Sequence, residues 1–153
     1  MRKLTTLLIA IPAMTLASVA FAVDTSNPVS VAGAHKDGFD GFATQELDAA
    51  RNSAEGARTS KDITGVHEHL QAVINCLVGP EGPGFVASIN NPCSRMGHGA
   101  IKDVMQDSDE SRLLNDALNE ARDGLQSTSI DSAHSSAKDA FNDIDNAENS
   151  AKQ

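Results

Sequence analysis

Apolar residues recur at helical spacing in four segments of the chain. Between residues 41 and 58 they follow one another in steps of four, three, four and three, so they share one face of a helix. Three further stripes occupy residues 63–77, 114–125 and 130–151. The pattern therefore predicts four amphipathic helices and an all-α protein. The first stripe consists of Ala43, Leu47, Ala50, Ala54 and Ala57.

Residues that cap or stop helices mark the predicted boundaries. Ser60 is predicted to cap the second helix. Gly79 and Pro80 are predicted to end it, because glycine commonly follows a helix end and proline cannot continue the helix. Ser108 and Ser129 are the predicted starts of the third and fourth helices.

A long connection, residues 79–107, separates the second predicted helix from the third. Its glycines and prolines exclude one continuous helix, although residues 100–106 are predicted to form a short helical piece. We expect residues 41–153 to form a single domain. The predicted architecture is an up-down-up-down four-helix bundle, in which this connection is a long crossover loop tied down by a disulfide.

The N-terminal residues predict export. Arg2 and Lys3 precede an apolar run, residues 7–19, and small residues end it at Ala20 and Ala22. This is the pattern of a signal peptide, which we place at residues 1–22. The alternative, a membrane anchor, is disfavoured because the run is shorter than the roughly 20 residues needed to span a bilayer. Residues 23–40 are predicted to be a flexible lead, and the mature protein to be periplasmic or secreted without a membrane span.

The amino-acid composition and the net charge limit the fold classes and the partners that we expect for this protein. The chain has no Trp or Tyr, so its core must be built from Ala, Leu, Ile and Val, which favours closely packed helices. The net charge is −9, and it becomes about −11 when Arg2 and Lys3 leave with the signal peptide. An acidic protein has no electrostatic attraction for nucleic acid or an anionic membrane. We therefore expect neither as a partner.

Two cysteines, Cys76 and Cys93, are present. In an oxidising compartment an even pair forms a disulfide, which by the chain-entropy estimate would stabilise the domain by about 3 kcal/mol. The alternative is a pair of metal-binding thiolates, which would need protection from oxidation in that compartment.

Motifs for catalysis are absent from the sequence. The chain contains no Gly-x-Ser-x-Gly nucleophile elbow and no Gly-x-x-x-x-Gly-Lys phosphate loop. The prolines within residues 79–84 remove amide donors that a phosphate would need. We therefore expect a protein that is not an enzyme.

The histidines provide the best candidates for a binding site. His67 and His69 point roughly 200° apart on a helix, so they cannot grip one ion together. His67 lies on the apolar face, either as a ligand or as a hydrogen-bonded structural residue. The crossover loop adds Met96 and His98, and thioether with imidazole suits copper. The predicted site for a copper or zinc ion is His67, His98 and Met96, with His69 outside it or as an outer ligand.

Two parts of the sequence resemble known exported proteins. The motifs Leu118-x-x-Ala121-x-x-x-Leu125 and Ala133-x-x-x-Ala137-x-x-Ala140, after a signal peptide, resemble small periplasmic metal-binding proteins built as His-rich four-helix bundles. That resemblance implies a helical bundle that binds metal ions. Those proteins carry many helical histidines, whereas the predicted helices here carry only His67, His69 and His134. The block from Asn75 to Cys93 is similar to a segment of exported bacterial proteins with no known activity.

The leading functional hypothesis is a periplasmic small-ligand binding protein with a transition-metal ion as its ligand. The alternative is a non-catalytic structural or protein-interaction module of the cell envelope. The alternative requires an exposed apolar patch on the crossover loop around Phe85, Val86 and Ile89. It would bind an envelope protein through that patch.

Overall fold

The computed structural model describes residues 41–104 and 106–152. The predicted signal peptide and the predicted flexible lead lie outside these residues. Every regular element in the described part of the chain is a helix, which confirms the predicted all-α class. The helices are α1 (Gly41–Thr59), α2 (Ile63–Val78), α3 (Ala100–Asp103), α4 (Asp109–Gln126) and α5 (Ile130–Ser150).

The four long helices bury the predicted apolar stripes against one another. Every residue of the first stripe is fully buried in α1, and Ile144 is fully buried in α5. The core is rich in alanine, which lets helix backbones approach closely, and leucine, isoleucine and valine fill the remaining space. Gly124 of α4 shows this closeness, because a Cβ there would lie 3.1 Å from the Cβ of Ser136 on α5.

Charged residues link α1 to α5 at the edge of this core. Arg51 donates a hydrogen bond from Nε to Oδ1 of Asp145 at 3.0 Å. The guanidinium groups of Arg51 and Arg58 lie 4.7 Å and 5.4 Å from the centre of the Phe141 ring. The half-buried Phe141 is therefore covered by two cations from the neighbouring helix.

The cap of α2 differs from the sequence prediction. Asp62, not Ser60, caps the helix, and its Oδ1 accepts the N–H of Gly65 at 2.9 Å. Ser60 instead donates its hydroxyl to the carbonyl of Gly56 at 2.8 Å, so it closes the end of α1. Ser60 lies too early for the cap because two further residues separate it from the first residue of α2.

Gly79 ends α2 as predicted, and it does so at a backbone crossing. Its φ is 67°, a left-handed value that favours glycine, and its N–H donates to the carbonyl of Asn75 at 3.0 Å. A Cβ on Gly79 would collide with the carbonyl of His98, and a Cβ on Gly99 would collide with the backbone of Gly79. The crossover loop therefore packs backbone against backbone at the C-terminal end of α2.

The remaining boundaries agree with the sequence except at α3. The Ser108 hydroxyl caps α4 by accepting the N–H of Ser111 at 3.1 Å. Ser129 precedes α5 but makes no capping bond with its side chain. The short helix ends at Asp103 rather than residue 106, because Val104 is extended, with φ −90° and ψ 162°.

The predicted disulfide joins Cys76 to Cys93, with their Cα atoms 5.3 Å apart. It fastens the crossover loop to the last turn of α2. The sulfur of Cys93 also lies 3.6 Å from the carbonyl oxygen of Glu46, so the bond sits between α1 and α2. Both cysteines are bonded, so neither is a thiolate ligand.

Within the described residues, no helix combines the length and the apolar character that crossing a membrane requires.

Candidate functional site

A buried carboxylate on α1 holds the glycine-rich end of the crossover loop. Glu46 is only 1% exposed, and its Oε1 accepts the N–H of Gly97 at 2.8 Å and the N–H of Gly99 at 3.1 Å. A carboxylate that accepts two backbone N–H groups in a buried setting makes strong, directional bonds. Residues 97–99 are therefore fixed against α1.

A second carboxylate holds the histidine between these two glycines. Oδ2 of Asp103 accepts the backbone N–H of His98 at 2.8 Å, and Oδ1 lies 3.3 Å from Nδ1 of the same residue. The Asp103 side chain is 9% exposed, whereas the His98 side chain is 77% exposed. The His98 side chain is thus accessible. Its backbone N–H donates to one nearly buried carboxylate, and the same carboxylate lies beside its ring.

The position of the Asp103 carboxylate bears on the tautomer that His98 would adopt as a ligand. A carboxylate beside Nδ1 favours the form in which Nδ1 carries the hydrogen, and Nε2 then keeps its lone pair. Gly97 makes the close approach of Asp103 sterically acceptable, because a Cβ on Gly97 would collide with Oδ2 of that residue. Replacing this glycine would therefore force the Asp103 carboxylate to move.

The structure does not bring His67 to this loop. Nε2 of His67 lies 3.1 Å from the carbonyl oxygen of Ser127, an acceptor, so Nε2 must carry the hydrogen. His67 precedes Gly79 by twelve residues, about 18 Å along α2, and His98 packs at Gly79. His67 thus has the structural role that the sequence left open, and it joins α2 to the end of α4.

Met96 and His134 also have defined surroundings. Met96 is half-buried against the hydrophobic core, two residues before His98, and its N–H donates to the carbonyl of Cys93 at 3.2 Å. Nε2 of His134 lies 3.0 Å from the carbonyl oxygen of Ser60, so this ring is also a donor to the backbone. Of these candidates, only Met96 lies on the same loop as His98.

His69 lies in a different place, in the wall of a groove between α1 and α2. The groove has a volume of about 510 Å³, and residues 88–92 of the crossover loop form its third side. A Cβ on Gly56 would lie 2.7 Å from both Cε1 and Nδ1 of His69, so the ring packs directly against α1.

Acidic residues accumulate where α4 meets α5. Partial burial and the neighbouring carboxylates of Asp139 and Asp123 raise the pKa of Glu120 above its usual value. Partial burial, together with the carboxylates of Asp116 and Asp139, raises the pKa of Asp143. This surface is the polar face of two amphipathic helices, as the sequence suggested, and its ionised form carries unfavourable repulsion.

No ready-made metal cage is present in the part of the chain that the structure describes. Among residues 41–104 and 106–152, no three or more His, Cys, Asp or Glu side chains are grouped so as to hold an ion. Ligation at His98 by other described residues would therefore rely on Met96, and water or a group from a second protein would complete it.

The two carboxylates that hold the loop, Glu46 on α1 and Asp103 on α3, are the residues that sequence reasoning missed. Glu46 stands within the alanine stripe, three residues after Ala43 and four before Ala50, so helical spacing places a charge on the buried face. A buried charge needs polar partners, so the position of Glu46 indicated that its carboxylate binds polar groups elsewhere in the chain. Asp103 carries no such signal, because its position depends on the end of a four-residue helix.

Comparison with known proteins gives no match for this chain among protein-family models, curated proteins or solved structures.

Proposed function

We propose that this protein is an exported, non-catalytic binding protein, and that its ligand is a transition-metal ion held by Nε2 of His98. One observation carries the proposal: Oδ1 of Asp103 lies 3.3 Å from Nδ1 of His98, while the His98 side chain remains 77% exposed. Metal-binding histidines commonly donate their other ring N–H to a carboxylate, which fixes the ring and strengthens the ligand. The loop supplies that arrangement before any ion binds.

Copper is the first candidate for the ion and zinc the second. Met96 stands two residues from His98 on the same fixed loop, and a thioether with an imidazole suits copper. Rotation of the half-buried Met96 side chain would bring its sulfur toward the ion. His67 and His69 take no part in this proposal, because one is a donor to Ser127 and the other packs against Gly56.

The remaining coordination positions suit an ion that is passed between proteins. Two protein ligands leave room for water, or for a side chain of an envelope protein that completes the shell. An open shell binds more weakly than a closed cage and releases its ion more readily. We propose a carrier or a sensor rather than a permanent structural metal site.

Export and bundle topology belong to the same proposal. A disulfide between Cys76 and Cys93 supports an oxidising compartment such as the periplasm.

The contact of His67, near the start of α2, with Ser127, after the end of α4, supports opposite directions for those two helices. The contact of Ser60, after α1, with His134, near the start of α5, supports the same relation there. In an up-down-up-down bundle, both of these helix pairs, α2 with α4 and α1 with α5, would run in opposite directions.

The interaction-module alternative receives less support from the crossover loop. Phe85, Val86 and Ile89 are half-buried, and Phe85 packs against the core. The N–H of Val86 donates to Oδ1 of Asn75 at 2.9 Å, and its carbonyl accepts from Nδ2 at 3.0 Å. Phe85 and Val86 are therefore occupied in holding the loop against the bundle.

The test is calorimetric titration of the metal-free mature protein with Cu(I), Cu(II) and Zn(II). We expect His98→Ala to abolish tight binding and Asp103→Asn to weaken it about 10- to 100-fold. His67→Ala is the matched control and should leave affinity unchanged. Circular dichroism would establish that each variant is folded. Affinity no tighter than about millimolar for the unmodified protein, or unchanged affinity in His98→Ala, would contradict the proposal.

A further inference from the structure

We infer a second binding site, in the groove between α1, α2 and residues 88–92, that takes a small organic cation carrying an ammonium group. The groove shares no lining residue with the proposed metal site at Met96 and His98, although both use the crossover loop. This inference is therefore independent of the proposed metal site.

The size and shape of the groove fit a small molecule. Its volume of about 510 Å³ lies within the roughly 300–1,000 Å³ typical of ligand sites. Small side chains on the two helices, Ala49, Ser53 and Ala72, form part of the lining, and the last two are almost fully buried. Their small size creates the space.

The loop side of the groove is fixed in place before any ligand binds. Asn75 holds Val86 through two hydrogen bonds, and Nε2 of Gln71 donates to the carbonyl of Gly84 at 2.9 Å. The disulfide anchors Cys93, next to the lining residue Pro92. A preformed site loses less conformational freedom on binding than a mobile loop would.

The helix side is also preformed. The His69 ring packs against α1 where Gly56 has no side chain, and a Cβ there would lie 2.7 Å from two ring atoms. The ring is therefore placed without obstructing the groove. Its nitrogens add hydrogen-bonding capacity beside Glu68, the next residue along the helix.

The polar groups of the lining determine the ligand class. Glu68 is the carboxylate among the lining residues, and no Lys or Arg is among them. Asn52, Ser88 and Asn90 add oxygen acceptors for N–H groups. An ammonium group therefore finds a negative charge and neutral acceptors, whereas an anion meets repulsion. Ile89 and Pro92 provide apolar surface for a short carbon chain.

The test is a nuclear magnetic resonance titration of the ¹⁵N-labelled mature protein, kept metal-free with a chelator. The probes are 1,4-diaminobutane, glycerol and succinate, which are similar in length and differ in charge. We expect diaminobutane to shift amide signals within residues 52–53, 68–72 and 88–92. Succinate and glycerol should leave these signals in place.

Substitutions then test separately the carboxylate of the groove and the space inside it. Glu68→Gln should weaken diaminobutane binding about fivefold, the scale of an exposed ion pair. Glu81→Gln removes one exposed carboxylate outside the groove, so it controls for net charge and should have no effect. Ser88→Trp, at an exposed position, should fill the groove and abolish binding.

Three results would overturn the inference. The first is that no amide of the groove shifts with diaminobutane up to about 10 mM, the weak end of useful affinity. The second is that Glu68→Gln and Glu81→Gln weaken binding equally, so that only net charge matters. The third is that succinate shifts the same amides as diaminobutane. The metal site is untouched by all of these measurements, so each proposal can fail alone.

Discussion

Oε1 of Glu46 accepts the N–H of Gly97 at 2.8 Å, across 51 residues of sequence. The first long helix therefore holds the loop that presents His98, and the site depends on a residue that a ligand would never touch. Because Glu46 is 1% exposed, its bonds form away from competing water.

Glu46→Ala should destabilise the domain by about 2–5 kcal/mol, since two buried N–H groups would lose their acceptor. Urea denaturation followed by circular dichroism measures this. Glu55→Ala, on the same helix but in an exposed pair with Arg58, is the control and should cost less than about 1 kcal/mol. Equal losses in the two variants would show that the Glu46 bonds contribute little.

Gly97→Ala should separate Asp103 from His98, because the added Cβ occupies the place of Oδ2. We expect a loss of about 1–3 kcal/mol in unfolding free energy, the usual cost of forcing extra volume into a packed site. Weaker Cu(I) binding should accompany it. Gly41→Ala adds a methyl group where nothing lies within 4 Å, so it should change neither quantity.

Lowering the pH from 7 toward 5 should stabilise the acidic surface between α4 and α5. The pKa values of Glu120 and Asp143 are raised in the folded protein, so the folded state takes up protons before the unfolded state does. Their destabilising effect is present above the raised pKa and is relieved as the pH falls toward their ordinary values of 4.5 and 3.8.

Thermal unfolding at several pH values measures this effect, and Asp143→Asn should reduce the gain. Glu81→Gln removes an exposed carboxylate of the crossover loop that contributes to neither raised pKa, and it is the control. A fall in Tm between pH 7 and pH 5, or an Asp143→Asn profile identical to that of the unmodified protein, would be inconsistent with this account.

Replacing Cys76 and Cys93 together with serine should lower the unfolding free energy by about 3 kcal/mol, the chain-entropy estimate for a loop of this length. The groove should also lose its fixed side, so diaminobutane should bind more weakly. Thiol titration of the unmodified protein under denaturing conditions should find no free thiol. Two free thiols would contradict the disulfide.

Ile144→Asp should destabilise the domain by several kcal/mol, because it places an unpaired charge at a fully buried position of α5. Asn142→Asp introduces the same carboxylate two residues earlier at an exposed position and serves as the control. Circular dichroism during chemical denaturation should show a large shift in midpoint for the first variant alone.

Helices were predictable from the sequence because burial follows helical spacing locally. The first stripe, which contains Leu47, needed no knowledge of distant residues to be placed on a buried face. The end of α2 was predictable for the same reason, since Gly79 and Pro80 act on the backbone next to them. The cap was misplaced because Ser60 and Asp62 both suit capping, and only the start of the helix decides between them.

The candidate site was only partly predictable because it depends on contacts between distant residues. His98 and Met96 could be singled out by residue type, but Asp103 and Glu46 reach the loop through hydrogen bonds that follow no period. His67 was ambiguous in sequence because a histidine on an apolar face suits a ligand or a structural bond equally. Its partner is a backbone carbonyl, which any residue at position 127 would supply.

The crossing of Gly79 and Gly99 restricts how this chain can diverge. Either residue, if replaced by a larger one, would force two backbones apart and carry the His98 loop with them. A compensating change elsewhere cannot restore the fit, because the obstacle is main chain rather than a side chain that could shrink. Among proteins descended from a common ancestor with this fold, these two positions would tolerate few replacements. Exposed neighbours such as Ala87 and Ser94 would tolerate many replacements.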